Sequence, residues 1–266
     1  MKKVGLIIIG DEILSGKRQD KHLAKVIELL GARGLALSWA RYVGDDRVRI
    51  TAALVDAFAS GDLVFSCGGI GATPDDHTRQ CAAAALGRPL ALHPQARDLI
   101  LERMRDTAKE QGIPFEPDRH DNVHRLNMGV FPEGAAIIPN PYNKIAGFTV
   151  DNVHFVPGFP VMAWPMIEWV LDHRYAALQG QGGAQREKSV IVFGAMEATL
   201  TPLMERIEAS FEGVKVFSLP SVDHPQWGRH IELGVKGEAA QVDAAYPYLI
   251  AGLHAYGAKL GAELVR

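Results

Sequence analysis

Cysteine is scarce in this chain: there are two, Cys67 and Cys81, and they form no C-x-x-C pair. That count argues against a disulfide framework and points to buried free thiols in a reducing compartment. Long hydrophobic runs are also lacking. The apolar stretch Val4–Ile9 stops at Gly10-Asp11-Glu12, too short for a signal core or a membrane span. A soluble, cytoplasmic protein with no membrane partner is expected. Neither sign of charge is in excess: 28 Lys and Arg against 31 Asp and Glu leave a formal charge of −3. That balance gives no reason to expect nucleic acid as the main partner. Familiar catalytic signatures are missing too. There is no G-x-S-x-G elbow and no G-x-x-x-x-G-K-[ST] loop. Gly69-Ile70-Gly71 lacks the third glycine of the dinucleotide fingerprint. His120, His124 and His154 show no metal-ligand spacing on a defined helix and are read as surface or core residues.

What is present is a large apolar fraction, 47% of 266 residues, enough for one large domain or two of ordinary size. Val4–Ile9 reads as a strand buried on both faces. Asp20 is placed to cap a helix carrying Leu23, Val26, Ile27 and Leu30. Further strands are expected at 35–41, 63–67, 135–138 and 153–156. Helices are expected after Asp45-Asp46, over 77–86, around 99–108 and over 162–178. Loops are expected at 114–127 and 139–148. Strand and helix alternate at the spacing of βαβ units, which predicts a mostly parallel sheet covered by helices. Residues 179–187, rich in Gly and Gln, read as a linker between a domain at 1–178 and a smaller one at 188–266. The second domain reads β-α-β-β-α, a small α+β module of the split βαβ kind.

The richest segment is 63–80. A buried strand ends at Cys67 and runs into Gly68-Gly69-Ile70-Gly71-Ala72-Thr73-Pro74-Asp75-Asp76-His77-Thr78. Glycines let the backbone approach a ligand closely, and turn amides hold anions such as phosphate. In a parallel sheet, ligands bind where the chain leaves the carboxyl ends of the strands. The Gly10-Asp11-Glu12 loop follows the first strand, Asp45-Asp46 the second, and Gly68–Asp76 the third. On one rim, the three form a candidate site for a small phosphorylated ligand. Their carboxylates suit magnesium bridging to phosphate, with Asp75 and Asp76 as candidate ligands.

These residues also carry a resemblance. Gly10-Asp11-Glu12-Ile13-Leu14-Ser15-Gly16, the Gly68–Thr78 motif, Asn140-Pro141 and Pro157-Gly158-Phe159-Pro160 resemble, in order, the molybdopterin-binding domain of molybdenum-cofactor biosynthesis proteins. The similarity covers about residues 1–175 and is greatest to the branch containing competence/damage-inducible proteins. It implies a three-layer α/β/α domain, followed by a KH-like module near Glu197. The amidase domain of that branch is not expected in the residues that remain. The resemblance implies a molybdopterin-type pterin or a nucleotide as ligand, bound by Gly10, Asp11, Glu12, Gly68, Gly69, Gly71, Thr73, Thr78, Asn140 and Pro141. By motif position, Asp75, Asp76 and Asp45 are the candidate catalytic acids. The alternative activity is metal-dependent hydrolysis of ADP-ribose or a related nucleotide. A third reading is a non-catalytic interaction module. Gly194-Ala195-Met196-Glu197 lacks a G-x-x-G loop with basic flanks, so docking or dimerisation is favoured over RNA binding, and a homo-oligomer is expected. The chain departs from the family pattern in four places. Lys21-His22 stands where Thr-Asn is usual. Tyr142-Asn143 replaces Ala-Gly. Ala146 replaces a proline. Met162 occupies a position where glutamate is usual.

Overall fold

The computed structural model describes residues 2–180 and 185–266. The chain divides into two compact units, Met1–Gln179 and Gly180–Arg266. The linker expected at 179–187 falls partly on 181–184, which lie outside the described residues.

The first unit begins with β1 (Val4–Ile9), followed by a short α1 (Asp11–Leu14) and by α2 (His22–Gly31). Asp20 caps α2: its carboxylate accepts from the amides of His22 at 2.7 Å and Leu23 at 3.1 Å. Next come β2 (Trp39–Val43) and α3 (Arg47–Ser60). Asp46 caps α3 by accepting from Arg49 N at 2.8 Å. β3 (Leu63–Cys67), α4 (Thr78–Leu86), β4 (Leu90–Leu92), α5 (Pro94–Gln111) and α6 (His120–Leu126) follow. The unit closes with β5 (Val130–Pro132), β6 (Ala136–Ile138), β7 (Gly147–Val150), β8 (Val153–Val156) and α7 (Pro160–Arg174). The main sheet has the order β2-β1-β3-β8-β7-β6. The first four strands are parallel and β7 alone runs against its neighbours. Leu6, Ile8 and Phe65 pack with α2 and α7 on one face, whereas Ile7, Ile9 and Val64 pack with α3 and α4 on the other. This is the expected three-layer α/β architecture, and Val4–Ile9 is buried throughout because it lies between both helical layers.

Five elements differ from the sequence reading. The second strand starts at Trp39 rather than at 35. Leu35 instead closes the turn after α2, its amide donating to Leu30 O at 2.9 Å. The loop expected at 114–127 contains α6. Its segment has no apolar stripe, and it is anchored by Asn122, whose Nδ2 donates to Glu116 O at 2.7 Å. His120 and His124 therefore do stand one helical turn apart. The loop expected at 139–148 gives way to β7 at Gly147. A Cβ there would overlap the Phe155 carbonyl, so glycine marks a close strand approach rather than a turn. Phe148 stacks on Phe155 with centroids 4.3 Å apart. β4 and β5, absent from the reading, pair with each other as a two-stranded sheet.

The second unit runs β9 (Gln185–Phe193), α8 (Glu197–Ser210), β10 (Lys215–His224), β11 (Gly228–Glu238), α9 (Ala239–Ala255) and β12 (Lys259–Val265). Its antiparallel sheet has the order β10-β11-β9-β12, a split βαβ arrangement. Val190, Val192, Leu233 and Val235 bury one face against Leu200, Leu203, Val242 and Leu249. Residues 185–187 belong to β9, not to a linker. They pair with the end of β11, and Arg186 and Lys188 ion-pair with Asp243. β12 escaped the reading because it is an edge strand with Gly261 and a bulge between Leu260 and Glu263, and it shows no clean alternation.

Both cysteines are buried and free, and burial pushes the Cys67 thiol far up from its usual range. Among the described residues no helix is long and apolar enough to cross a membrane.

A buried histidine stands inside the first core. His154 on β8 is fully enclosed beside Phe65. Its Nδ1 is 2.9 Å from Thr149 Oγ1 and its Nε2 2.9 Å from Tyr175 Oη. Burial, reinforced by the charges of Arg174 and Lys2, pushes its pKa down to about 3. The native state therefore keeps this imidazole neutral while the unfolded chain protonates it below pH ~6.5. That difference lowers stability as pH falls from the unfolded value towards the folded one, by about 1.4 kcal/mol per pH unit. In an NMR titration of the folded protein, the His154 ring signals are expected to stay in the neutral position down to pH 4. A titration midpoint above pH 5 would contradict this.

Candidate functional site

Strands β1 and β3 are neighbours, and both end at the same rim of the sheet. Their following loops are therefore forced side by side. A Cβ on Gly68 would overlap the Ile9 carbonyl oxygen, and Gly68 has φ 106°. Only glycine fits there without moving β1. Gly69, at φ 69°, lies as closely against the Thr78 hydroxyl. The Gly68 amide continues the sheet by donating to Val156 O at 3.0 Å. Thr78, fully buried, holds the loop from behind: its hydroxyl donates to Gly68 O at 3.0 Å and its amide to Gly69 O at 3.0 Å. Arg79, also buried, donates from Nη1 to Ile70 O at 2.5 Å. At the far end Asp76 folds back over the loop. It accepts from the Thr73 amide at 2.8 Å and from the Thr73 hydroxyl. The amides of Gly69, Ile70, Gly71 and Ala72 have no hydrogen-bond partner among the described residues. Four consecutive free donors in a locked turn suit an anion.

This loop opens into a cleft of about 430 Å³. Gly10, Glu12, Arg18 and Asp45 form one wall, and Gly68, Gly69, Gly71, Thr73, Asp75 and Asp76 the floor. Asn140, Asn143, Phe159 and Met162 stand opposite, with Met128 at the side. The opposite loop is organised by Asn140, whose Nδ2 donates to Asn143 Oδ1 at 2.8 Å and to Ile145 O at 2.9 Å. Asn143 in turn donates to Met162 Sδ at 3.3 Å. Lys144 pins the loop outside the cleft through Glu102 and Asp106, both at 2.6 Å.

Not every expected residue lines the cleft. Asp11 instead clasps the next loop: its amide donates to Asp45 Oδ2 at 2.9 Å, and its Oδ1 accepts from Asp45 N at 3.1 Å. Thr78 is behind the loop, as above. Pro141 and Tyr142 are exposed and are not among the lining residues, so the tyrosine neither packs nor faces the cleft.

The walls are acidic. Burial, with the nearby charges of Asp11, Glu12 and Asp75, raises the Asp45 carboxyl above its usual range, although the Asp11 amide acts the other way. Among the described residues, however, no group of three or more His, Cys, Asp or Glu is arranged to hold a metal ion.

Three contributors were given no site role by the sequence. Arg18 brings a cation to the acidic wall, 3.9 Å from Glu12 and 5.6 Å above the Phe159 ring. Lys17-Arg18 after a Ser-Gly turn reads only as a charged loop. Arg79 is an ordinary helix residue by pattern. His22, third, lines an adjoining cavity of about 330 Å³ that shares Ile9, Glu12, Arg18, Gly158 and Phe159 with the cleft. Its Nε2 is 3.0 Å from Gly158 O, and its buried Nδ1 has no partner. The one sequence signal was that Lys21-His22 departs from the family pattern.

The first unit also resembles known proteins. A family model described as a probable molybdopterin binding domain matches residues 5–179. A CinA-like protein of Syntrophotalea carbinolica is 31% identical over 221 residues, covering 78% of this chain and 50% of that protein. A CinA-like protein of Anaeromyxobacter dehalogenans is 35% identical over 181 residues, covering 66% of this chain and 42% of that protein. The chain therefore spans half the length of these relatives or less. Among solved structures, a CinA protein of unknown function from Thermoplasma acidophilum superposes with a TM-score of 0.53 and 27% identity, covering 64% of this chain and 96% of that one. The chain belongs to the molybdopterin-binding domain family, with CinA-like relatives.

The loop geometry separates two glycines. Gly68→Ala is expected to destabilise the first unit by at least ~2 kcal/mol, because the obstacle is backbone. Gly71→Ala meets Asp76 Oδ2 at 2.6 Å, a side chain free to move. It is expected to cost below ~1 kcal/mol while releasing the Asp76–Thr73 lock. Urea denaturation of both variants checks this, and equal losses would contradict it.

Proposed function

We propose that this member of the molybdopterin-binding domain family binds a phosphorylated pterin of the molybdopterin type, or a closely related nucleotide, in the cleft of its first unit. The observation that carries the reading is the locked glycine loop with four free amides at 69–72 beside Arg18. The phosphate sits on those amides and is paired by the Arg18 guanidinium, which offsets the surrounding carboxylates. The flat ring lies toward the adjoining cavity, whose Ile8, Ile13, Phe159 and Pro160 walls suit an apolar face. His22 Nδ1 accepts from a ring N–H. Its Nε2 proton is directed at Gly158 O, so the other nitrogen presents a lone pair.

On this reading Asp76 is a positioning residue that holds Thr73 and the loop. Hydrolysis of ADP-ribose has less support. Asp76 is engaged with Thr73, and Met162 lines the cleft where the family resemblance implies glutamate. A cytoplasmic location and a homo-oligomer belong to the same proposal.

The direct test is mass spectrometry of the small molecule that co-purifies with the protein, followed by calorimetric titration with a phosphorylated pterin and with ADP-ribose. Arg18→Ala is expected to weaken the phosphorylated pterin by about 10–100-fold, the worth of one charge-assisted hydrogen bond. His22→Leu is expected to weaken phosphorylated and unphosphorylated pterin alike. Tight binding unaffected by either substitution, or AMP release from ADP-ribose with no pterin binding, would overturn the reading.

A further inference from the structure

We propose that α6 carries a two-histidine site for a divalent first-row transition metal such as zinc or nickel. His120 and His124 are four residues apart on α6, so they project from one face of the helix. Both side chains are exposed, and their rings meet edge-on with centroids 4.5 Å apart. The two Nε2 atoms converge to 3.3 Å. Zinc–imidazole bonds of 2.0–2.1 Å meeting at a tetrahedral angle place their nitrogens about 3.3–3.4 Å apart. The pair therefore already has the bite of a tetrahedral ion. A direct N–H···N hydrogen bond between the two rings fits the same 3.3 Å separation and is the competing explanation.

The helix that carries the pair is anchored on its other side. Asn122 points to the opposite side of the helix, is 6% exposed, and is tied by its side chain to Glu116 O and by its amide to Arg119 O. Among the described residues no third His, Cys, Asp or Glu joins the two imidazoles. Water completes the coordination, so the ion is exchangeable. Imidazole donors favour zinc, nickel or copper over magnesium, which prefers oxygen. The site is separate from the cleft but linked to it through the chain. α6 runs directly into the turn Asn127–Gly129, and Met128 of that turn lines the cleft. A bound ion fixes the helix from which that wall is hung.

The test uses the whole chain after EDTA treatment and dialysis. Calorimetry and native mass spectrometry with Zn²⁺ are expected to show one equivalent bound through this pair. The affinity is expected to fall at least tenfold in His120→Ala and equally in His124→Ala, both with unchanged circular dichroism. Mg²⁺ is expected not to compete. A measurement on the unaltered protein runs in parallel: substoichiometric Ni²⁺ is expected to broaden the His120 and His124 ring signals before those of the other eight histidines. Unchanged affinity in both variants, or broadening that begins at other histidines, would overturn the proposal and leave the short approach as a hydrogen bond.

Discussion

The contact that the first unit depends on is the parallel pairing of β1 with β3, closed at its end by the Gly68 backbone lying against the Ile9 carbonyl. Both strands are buried between two helical layers, so neither can slide without moving Ile7, Ile8, Val64 and Phe65 out of their cores. The pairing brings the Gly10 and Gly68 loops to one rim. The parallel addition of β8 on the other side of β3 brings Gly158 and Phe159 to the same rim. The cleft is thus a consequence of strand order, and its shape follows from side chains that tie each loop to itself or to its neighbour.

Those ties divide the polar groups of the rim into two sets. Asp11 with Asp45, Asp76 with Thr73, Asn140 with Asn143 and Thr78 with Gly68 spend their hydrogen bonds inside the protein. The amides at 69–72 and His22 Nδ1 have no partner among the described residues, and the Arg18 guanidinium faces Glu12 at 3.9 Å and the Phe159 ring. The four amides and the guanidinium are the groups able to seat an anion against the repulsion of the acidic walls. This distribution suits selective binding more directly than it suits metal-assisted hydrolysis.

Much of this was legible in the sequence, and the reasons for the rest are specific. The buried strands 4–9 and 63–67 were clear because both-face burial leaves continuous apolar runs. The glycine loop was clear because three glycines after such a strand have few purely structural uses. β7 was hidden because Gly147 reads as a turn residue when its role is close approach to Phe155. α6 was hidden because its anchoring depends on one asparagine rather than an apolar stripe. Asp11 and Thr78 belong to the right motif, but a motif does not tell a residue that touches a ligand from one that supports its neighbour. Arg18 becomes notable only once folding sets it beside Phe159, and His22, a departure from the family pattern, gains a role only beside Gly158.

The central claim is that the backbone amides at 69–72 are the anion-binding element of the site. Amide NMR of the ¹⁵N-labelled protein, titrated with a phosphorylated pterin and separately with inorganic phosphate, tests it most directly. The Gly69, Ile70, Gly71 and Ala72 signals are expected to shift downfield together with both ligands, and the Gly68 and Thr73 amides, already bonded to Val156 and Asp76, to respond least. Ligand binding that leaves the four loop amides unmoved would contradict it.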